Sequence, residues 1–420
     1  MNLEDDKKFL WHPLTQHQLH PEHLLIKKAK GVMLYDEYDN EYIDGIASWY
    51  TCMYGHCNPE ITSKVAEQMT ELDHVVFTGF THQPAINLAR ELLKILPENQ
   101  DKLFFSDNGS TSIDIAIKMA LQYHHNKGVK KQKIIALDDG FHGDTFGAMS
   151  VSDLSIYNGP FSDYFLEVIR IPAPNKENVK QSIAIIRELA KKNDIAAFVY
   201  EPLVQGAAAM KMHEPKALNE LLEVAKGENI ITIADEVMTG FGKTGKNFAS
   251  EFMSCLPDII CLSKSLTGGI GPMAITSCNQ MIYEAFLSSK MEQGFFHGHT
   301  YSANPTSCSA ALASLELLKS SEIQNNIKNI EASHRRFNEK IKDHPKVKNT
   351  RQQGIIFALD FNVSVDRYGD LRYRLYDFYM AQGVYLRPLG NTVYILAPFV
   401  ISQIELQRIY DAIQNSFEII

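Results

Sequence analysis

Between about residues 100 and 280, short β-rich apolar runs alternate with stretches of helical periodicity, and few folds accommodate that alternation. It is the pattern of parallel strands joined by crossover helices. The runs are KLFFS (102–106), KIIAL (133–137), IAAFVYE (195–201), IITIAD (230–235), DIICLS (258–263) and MAITS (273–277), each bounded by polar or turn residues. Their near-continuous apolar character suits strands covered on both faces. After the first run, Ile113, Ala116, Ile117, Ala120 and Leu121 form an amphipathic helical stripe, and Thr111 with Asp114 has the spacing of a capping box at its start.

The first fifty residues and the stretch beyond about 310 read differently. Helices rich in Lys, Glu and Asn give way to short strands such as GIIFALDF (354–361) and NTVYILAP (391–398), so both ends are expected to build one smaller domain. No internal repeat or Gly/Ser-rich linker marks a boundary. With 420 residues, 45% of them hydrophobic, the chain has ample material for a buried core.

Fifty acidic against forty-one basic residues, a formal charge of −9, would repel a phosphate backbone, which argues against nucleic acid as a partner. The opening MNLEDDKKFLWHPLTQ has no cationic and apolar signal regions, and no window is apolar enough to span a membrane. Six cysteines (52, 57, 255, 261, 278 and 308) occur without a CxxC pair. A cytoplasmic protein with free thiols is expected.

The cluster Gly240-Phe-Gly242-Lys-Thr-Gly245-Lys246-Asn247 satisfies G-x-G-x-x-G and nearly satisfies a nucleotide phosphate loop. Context argues against both. Asp235 to Thr239 separate it from its strand, and Asn247 supplies no hydroxyl for magnesium. An ordinary glycine-rich turn is the expectation. The histidines near the candidate site, His56, His142, His297 and His299, lack metal-ligand spacing, so structural or supporting roles and no metal are expected.

An acid and a lysine at strand ends are more informative. Asp235 closes IITIAD and Lys264 follows DIICLS, and ligands of open α/β sheets sit at the carboxyl ends of strands. A desolvated lysine can attack an aldehyde to form a Schiff base, and a buried aspartate can hold a pyridine nitrogen protonated. Alone, each reads first as an ion-pair or solvent-facing residue; together they point to pyridoxal phosphate. Ser106-Asp-Asn-Gly109-Ser110-Thr111, between a strand and a helix, offers N–H groups and hydroxyls to a phosphate, or is a plain N-cap turn.

The combination ADEVMTGFGKTG followed by CLSKSLTGG resembles the class III aminotransferases of fold type I, which use pyridoxal phosphate. WHPLTQ (11–16), DGIASWYTCMYGH (44–56), DNGSTSIDIAIKMALQYH (107–124), GFHGDTFGAMSV (140–151), FFHGHTYSANP (295–305) and GVYLRPLGNTVYILAPF (383–399) are similar to the branch that aminates 8-amino-7-oxononanoate in biotin synthesis. The resemblance implies an α/β fold with a large cofactor domain (51–318) on a mostly parallel seven-stranded sheet, and a small α+β domain from 1–50 and 319–420. It implies a homodimer with shared active sites, acting on small-molecule substrates.

Position by position, it implies that Lys264 is the Schiff-base lysine and Asp235 the pyridinium partner, both catalytic. Gly109 and Ser110 match the phosphate cradle, with Phe141 on the cofactor ring, and His299 and Thr300 match cofactor contacts, Thr300 reaching in from the neighbouring subunit. Leu14, Trp49, Phe141, Gly298 and Arg387 match the substrate pocket, Arg387 holding a carboxylate. The chain departs from the family at Phe141, where the family has tyrosine, at Leu14, where members using S-adenosylmethionine usually have tyrosine, and at Tyr50 and His299, where tryptophan and proline are common. S-adenosylmethionine is the expected donor, with lysine as the alternative. The nearest rival is an aminotransferase for another ω-amino compound; further off lie a silent binding protein of the same fold and an ATPase using the glycine cluster.

Overall fold

A computed structural model describes residues 3–20, 22–153, 158–365, 367 and 369–420. Its largest sheet has seven strands: β1 (Gln100–Ser106), β2 (Lys133–Leu137), β3 (Val168–Ile171), β4 (Ile195–Tyr200), β5 (Ile231–Asp235), β6 (Ile259–Leu262) and β7 (Ala274–Asn279). Their spatial order is β1-β7-β6-β5-β4-β2-β3. All six apolar runs lie on strands. The seventh, β3, is a four-residue edge strand whose first three residues are only half-buried, too short and too mixed to stand out as a run. In β4, β5 and β6 every residue is buried, which explains why those runs are apolar on both faces.

Neighbours from β6 through β5, β4 and β2 to β3 pair in parallel, whereas β7 is antiparallel to both β6 and β1. The chain between β6 and β7, residues 263–273, holds only the single turn Lys264–Thr267. That is too short for a crossover, which takes a dozen or more residues. Two successive antiparallel pairings return β1 to the direction of β6, so the carboxyl ends of β1, β4, β5 and β6 lie along one edge of the sheet.

The helix Gly109–Asn126 buries Ile113, Ile115, Ala116, Ile117, Met119 and Ala120. Its cap differs from the expected Thr111–Asp114 box: Asn108 is the N-cap, and its Oδ1 accepts both the N–H of Thr111 (2.9 Å) and the Thr111 hydroxyl (3.0 Å). Asparagine caps as well as a hydroxyl does, and it places the helix start three residues earlier, next to β1.

The two ends of the chain meet. Ile26–Lys30, Met33–Asp36 and Glu41–Asp44 form a sheet joined in parallel by Val384–Tyr385. Val347–Gln353, Ile356–Phe361 and Thr392–Ile395 form a second, antiparallel sheet. The helix Ser321–Ile341 buries Ile323, Ile327, Ile330, Phe337 and Ile341, spaced to share one face. All six cysteines are free thiols. Among the described residues, no helix is long and apolar enough to cross a membrane.

Candidate active site

A cavity of about 450 Å³ opens at the carboxyl edge of the large sheet, where segments after β1, β2, β4, β5 and β6 meet the terminal regions. Its wall includes Leu14, Trp49, Gly109, Ser110, Phe141, Asp235, Lys264 and Arg387, eight residues that sequence reasoning singled out. A second, more open hollow of about 650 Å³, lined by Leu121, His125, Lys131 and Leu166 among others, holds no comparable convergence of acid, amine and guanidinium.

Asp235 is buried, and both its oxygens are held. Oδ2 lies 2.7 Å from Nδ1 of the buried His142, and Oδ1 accepts the N–H of Val237 at 3.0 Å. Burial opposes a charged imidazole, yet the hydrogen bond and charge of Asp235, with the charge of Glu201, prevail and raise the proton affinity of His142. The loop is locked from behind, since the N–H of His142 donates to Ser152 Oγ at 2.8 Å. Glu201, just after β4, accepts the N–H groups of Phe141 and Gly206, each at 3.0 Å. Burial, aided by Asp235 and opposed by His142, pushes its carboxyl up to about 7.

Lys264 begins the turn after β6 with a left-handed backbone (φ +49), the kind of constrained geometry that clusters at functional sites. Among the described residues its amine has no hydrogen-bond or carboxylate partner; Nζ faces the ring of Tyr50, 5.8 Å from the centroid. Desolvation lowers its proton affinity against the pull of Asp235 and Glu201. An uncharged amine is a nucleophile and a proton acceptor, as an exposed lysine is not.

Beside it, Gly109 and Ser110 open their helix, so their N–H groups have no intrahelical acceptor. A Cβ at Gly109 would come within 2.8 Å of Val237, and one at Gly143 (φ +128) within 2.0 Å of Ser110 Oγ. Ser110 Oγ accepts the N–H of Asp144 at 3.1 Å. The two glycines therefore bring the 141–144 loop and the segment after β5 up against an anion-binding helix start.

Opposite, the Arg387 guanidinium carbon lies 4.4 Å from the ring centroid of Trp49. Ala47 to Tyr50 all have positive φ, a contorted run that turns Trp49 toward the cavity. Tyr50 donates its hydroxyl to Tyr394 at 2.9 Å, and both line the wall.

Gly298, His299 and Thr300 do not line this cavity. Gly298 and Thr300 are exposed, and the N–H of His299 donates to Ser302 Oγ at 3.2 Å. The glycine cluster 240–247 is a structural turn: the buried Glu236 accepts the N–H groups of Ala249 and Ser250, and the fully buried Lys243 donates to Ser265 Oγ. Sequence reasoning gave His142 only a supporting part and passed over Glu201 and Lys243. Glu201 carried the same signal as Asp235, an acid closing an apolar strand; Lys243 carried none.

The sequence profile of the family described as Aminotransferase class-III matches residues 14–417. The chain is 43% identical over 415 residues to the adenosylmethionine-8-amino-7-oxononanoate aminotransferase of Synechococcus elongatus, with 97% of each chain covered. It is 36% identical to the enzyme of that name from Staphylococcus aureus, covering 86% of this chain and 84% of the other. The crystal structure of adenosylmethionine-8-amino-7-oxononanoate aminotransferase from Methanocaldococcus jannaschii superposes with a TM-score of 0.93 at 32% identity, covering 98% of each chain. A PLP-bound amine transaminase from an uncultivated Pseudomonas species superposes at 0.90 with 27% identity and the same coverage. On its sequence, its fold and the residues around its cavity, this chain belongs to the class-III aminotransferases.

Proposed function

We propose that the protein is a pyridoxal phosphate-dependent aminotransferase that converts 8-amino-7-oxononanoate to 7,8-diaminononanoate in biotin synthesis, with S-adenosylmethionine as amino donor. The observation that carries this reading is one cavity lined by an amine with no hydrogen-bond partner among the described residues, Lys264, a carboxylate fixed by His142, Asp235, and a guanidinium, Arg387. The relatives' names supply the substrate pair.

The residues present fit the cofactor. The glycine-walled helix start at Gly109 and Ser110 would take the phosphate, Asp235 the pyridine nitrogen, Phe141 a face of the ring and Lys264 the aldehyde; all five residues line the one cavity. Bound there, pyridoxal phosphate supplies an electron sink for negative charge developing at the carbon that carries the transferred nitrogen. Asp235 would keep the ring nitrogen protonated through a charge-assisted hydrogen bond, and His142 Nδ1, 2.7 Å from Asp235 Oδ2, aims that carboxylate. Lys264 Nζ removes the proton from the donor's amine-bearing carbon and returns one to the former ketone carbon of the acceptor. Arg387 grips the oxononanoate carboxylate, and its stacking on Trp49 limits where the guanidinium can go.

Gly298, His299 and Thr300 serve the site of a neighbouring subunit in a homodimer. Thr300 is exposed and is flanked by Phe296 and Tyr301, 69% and 63% exposed, the surface a partner would cover. Lysine is the second reading for the donor, because Asp144 lines the cavity and supplies the carboxylate that its second ammonium needs.

The test is product formation with each amine offered alone beside 8-amino-7-oxononanoate, followed by mass spectrometry. Diaminononanoate with S-adenosylmethionine and none with lysine is expected. Product from lysine only overturns the donor, and no product from either overturns the acceptor.

A further inference from the structure

The N-terminal segment holds a second cluster of metal-competent side chains that the catalytic reading does not use. We propose that Asp6, His12 and His23 form a site for one divalent transition-metal ion of the zinc class, which ties the N-terminal helix to the segment carrying Leu14 at the mouth of the cavity. One donor atom from each residue lies within 4.8 Å of the others. His12 Nε2 is 3.0 and 3.1 Å from the two Asp6 oxygens, and the His12 and His23 rings stack with centroids 3.7 Å apart.

A tetrahedral ion with bonds of about 2.0–2.1 Å holds its donors roughly 3.4 Å apart. The cluster therefore has to close by at most about 1.4 Å at its widest. The buried Nδ1 of His23 has no hydrogen-bond partner among the described residues, a loss that coordination would repair.

His17 is already committed: its Nε2 accepts the backbone N–H of His12 at 3.1 Å, which fixes the turn that holds His12 in place. Lys7 and Glu22 pair at 3.8 Å and bridge the same two segments. Two nitrogens and one carboxylate make a donor set suited to zinc and its neighbours and poorly suited to magnesium. The sequence pattern concealed it because the acid sits on a helix and the imidazoles on the loop after it, outside the compact spacing of H-E-x-x-H.

Pro13 and Leu14 follow His12 directly and line the cavity. Occupancy should therefore act on the segment that covers substrate and leave the residues that move protons alone.

The experiment uses the full-length, tag-free enzyme loaded with cofactor, treated with chelator and then titrated with ZnCl2, with MgCl2 as control. Stoichiometry is read by elemental analysis and coordination by the visible bands of Co2+ added in place of zinc. One zinc per chain is expected, with tetrahedral-type Co2+ bands and no magnesium binding. His23→Gln and Asp6→Asn should each weaken zinc by at least about 100-fold, beyond what loss of an outer-shell partner costs. Zinc binding unchanged in both variants, or no binding above that of the His12→Gln/His23→Gln double variant, would overturn the site. Circular dichroism and cofactor absorbance of the variants separate a lost site from a lost fold.

Discussion

His142 Nδ1 lies 2.7 Å from Asp235 Oδ2, with both side chains buried at the carboxyl edge of the sheet. The contact converts a strand-end acid into an oriented electrostatic device: one oxygen is fixed by the imidazole and the other by the N–H of Val237. Replacing His142 with Ala removes a hydrogen bond to a charged group, worth about 1.5–3 kcal/mol. Turnover should fall roughly 10–100-fold. A pH–rate profile of His142→Ala with the same shape and height as wild type would show that Asp235 needs no such partner.

Lys264→Ala should keep the fold, because the side chain ends at a cavity and hydrogen-bonds to no group among the described residues. It should abolish turnover, since nucleophile and proton carrier are lost together. Borohydride should fix the cofactor to the wild-type chain but not to the variant, as read by intact-mass spectrometry.

Gly143→Ala should weaken cofactor binding and lower stability, because the new methyl would lie 2.0 Å from Ser110 Oγ at a backbone angle suited to glycine. Overpacking of this kind costs about 1–3 kcal/mol. Adding Ser110→Gly should recover only part of the loss, since the Ser110 Cα at 2.8 Å and the positive φ remain. Cofactor dissociation constants for the single and double variants check both statements.

Arg387→Leu should weaken the carboxylate-bearing acceptor by about 2–5 kcal/mol, the cost of truncating one partner of a desolvated charge pair. The donor half-reaction should change less. Single-turnover measurement of each half-reaction decides it, and equal losses would mean that the guanidinium serves both substrates.

Glu201 sets a pH dependence of stability. Its carboxyl rises from the ordinary range to about 7 in the folded protein, so between these values the folded state binds more protons than the unfolded one. This contribution is fully present below the ordinary carboxyl range and is lost as pH rises through about 7. Glu201→Gln, which retains an acceptor for only one of the Phe141 and Gly206 N–H groups, should lower stability overall but remove that slope. Denaturant unfolding at fixed protein concentration across the same pH range, compared between the two proteins, measures the difference.

Local elements and two of the chemical groups were legible in the order of residues alone. Unbroken apolar runs mean burial on both faces, so β4, β5 and β6 were legible as central strands, and Asp235 and Lys264 were legible because they close or follow such strands. Tertiary structure decided what depends on strand order and on loop backbone. The reversal of β7 follows from a connection too short to cross over. The His142–Asp235 contact joins residues 93 positions apart, one after β2 and the other closing β5, and no periodicity encodes it. Trp49 reaches Arg387 through four consecutive left-handed residues, a conformation that the side chains of Ala47 to Tyr50 do not favour and that only the surrounding packing imposes. Periodicity reports whether a side chain is buried; which groups meet is set by the path the chain takes between the strands.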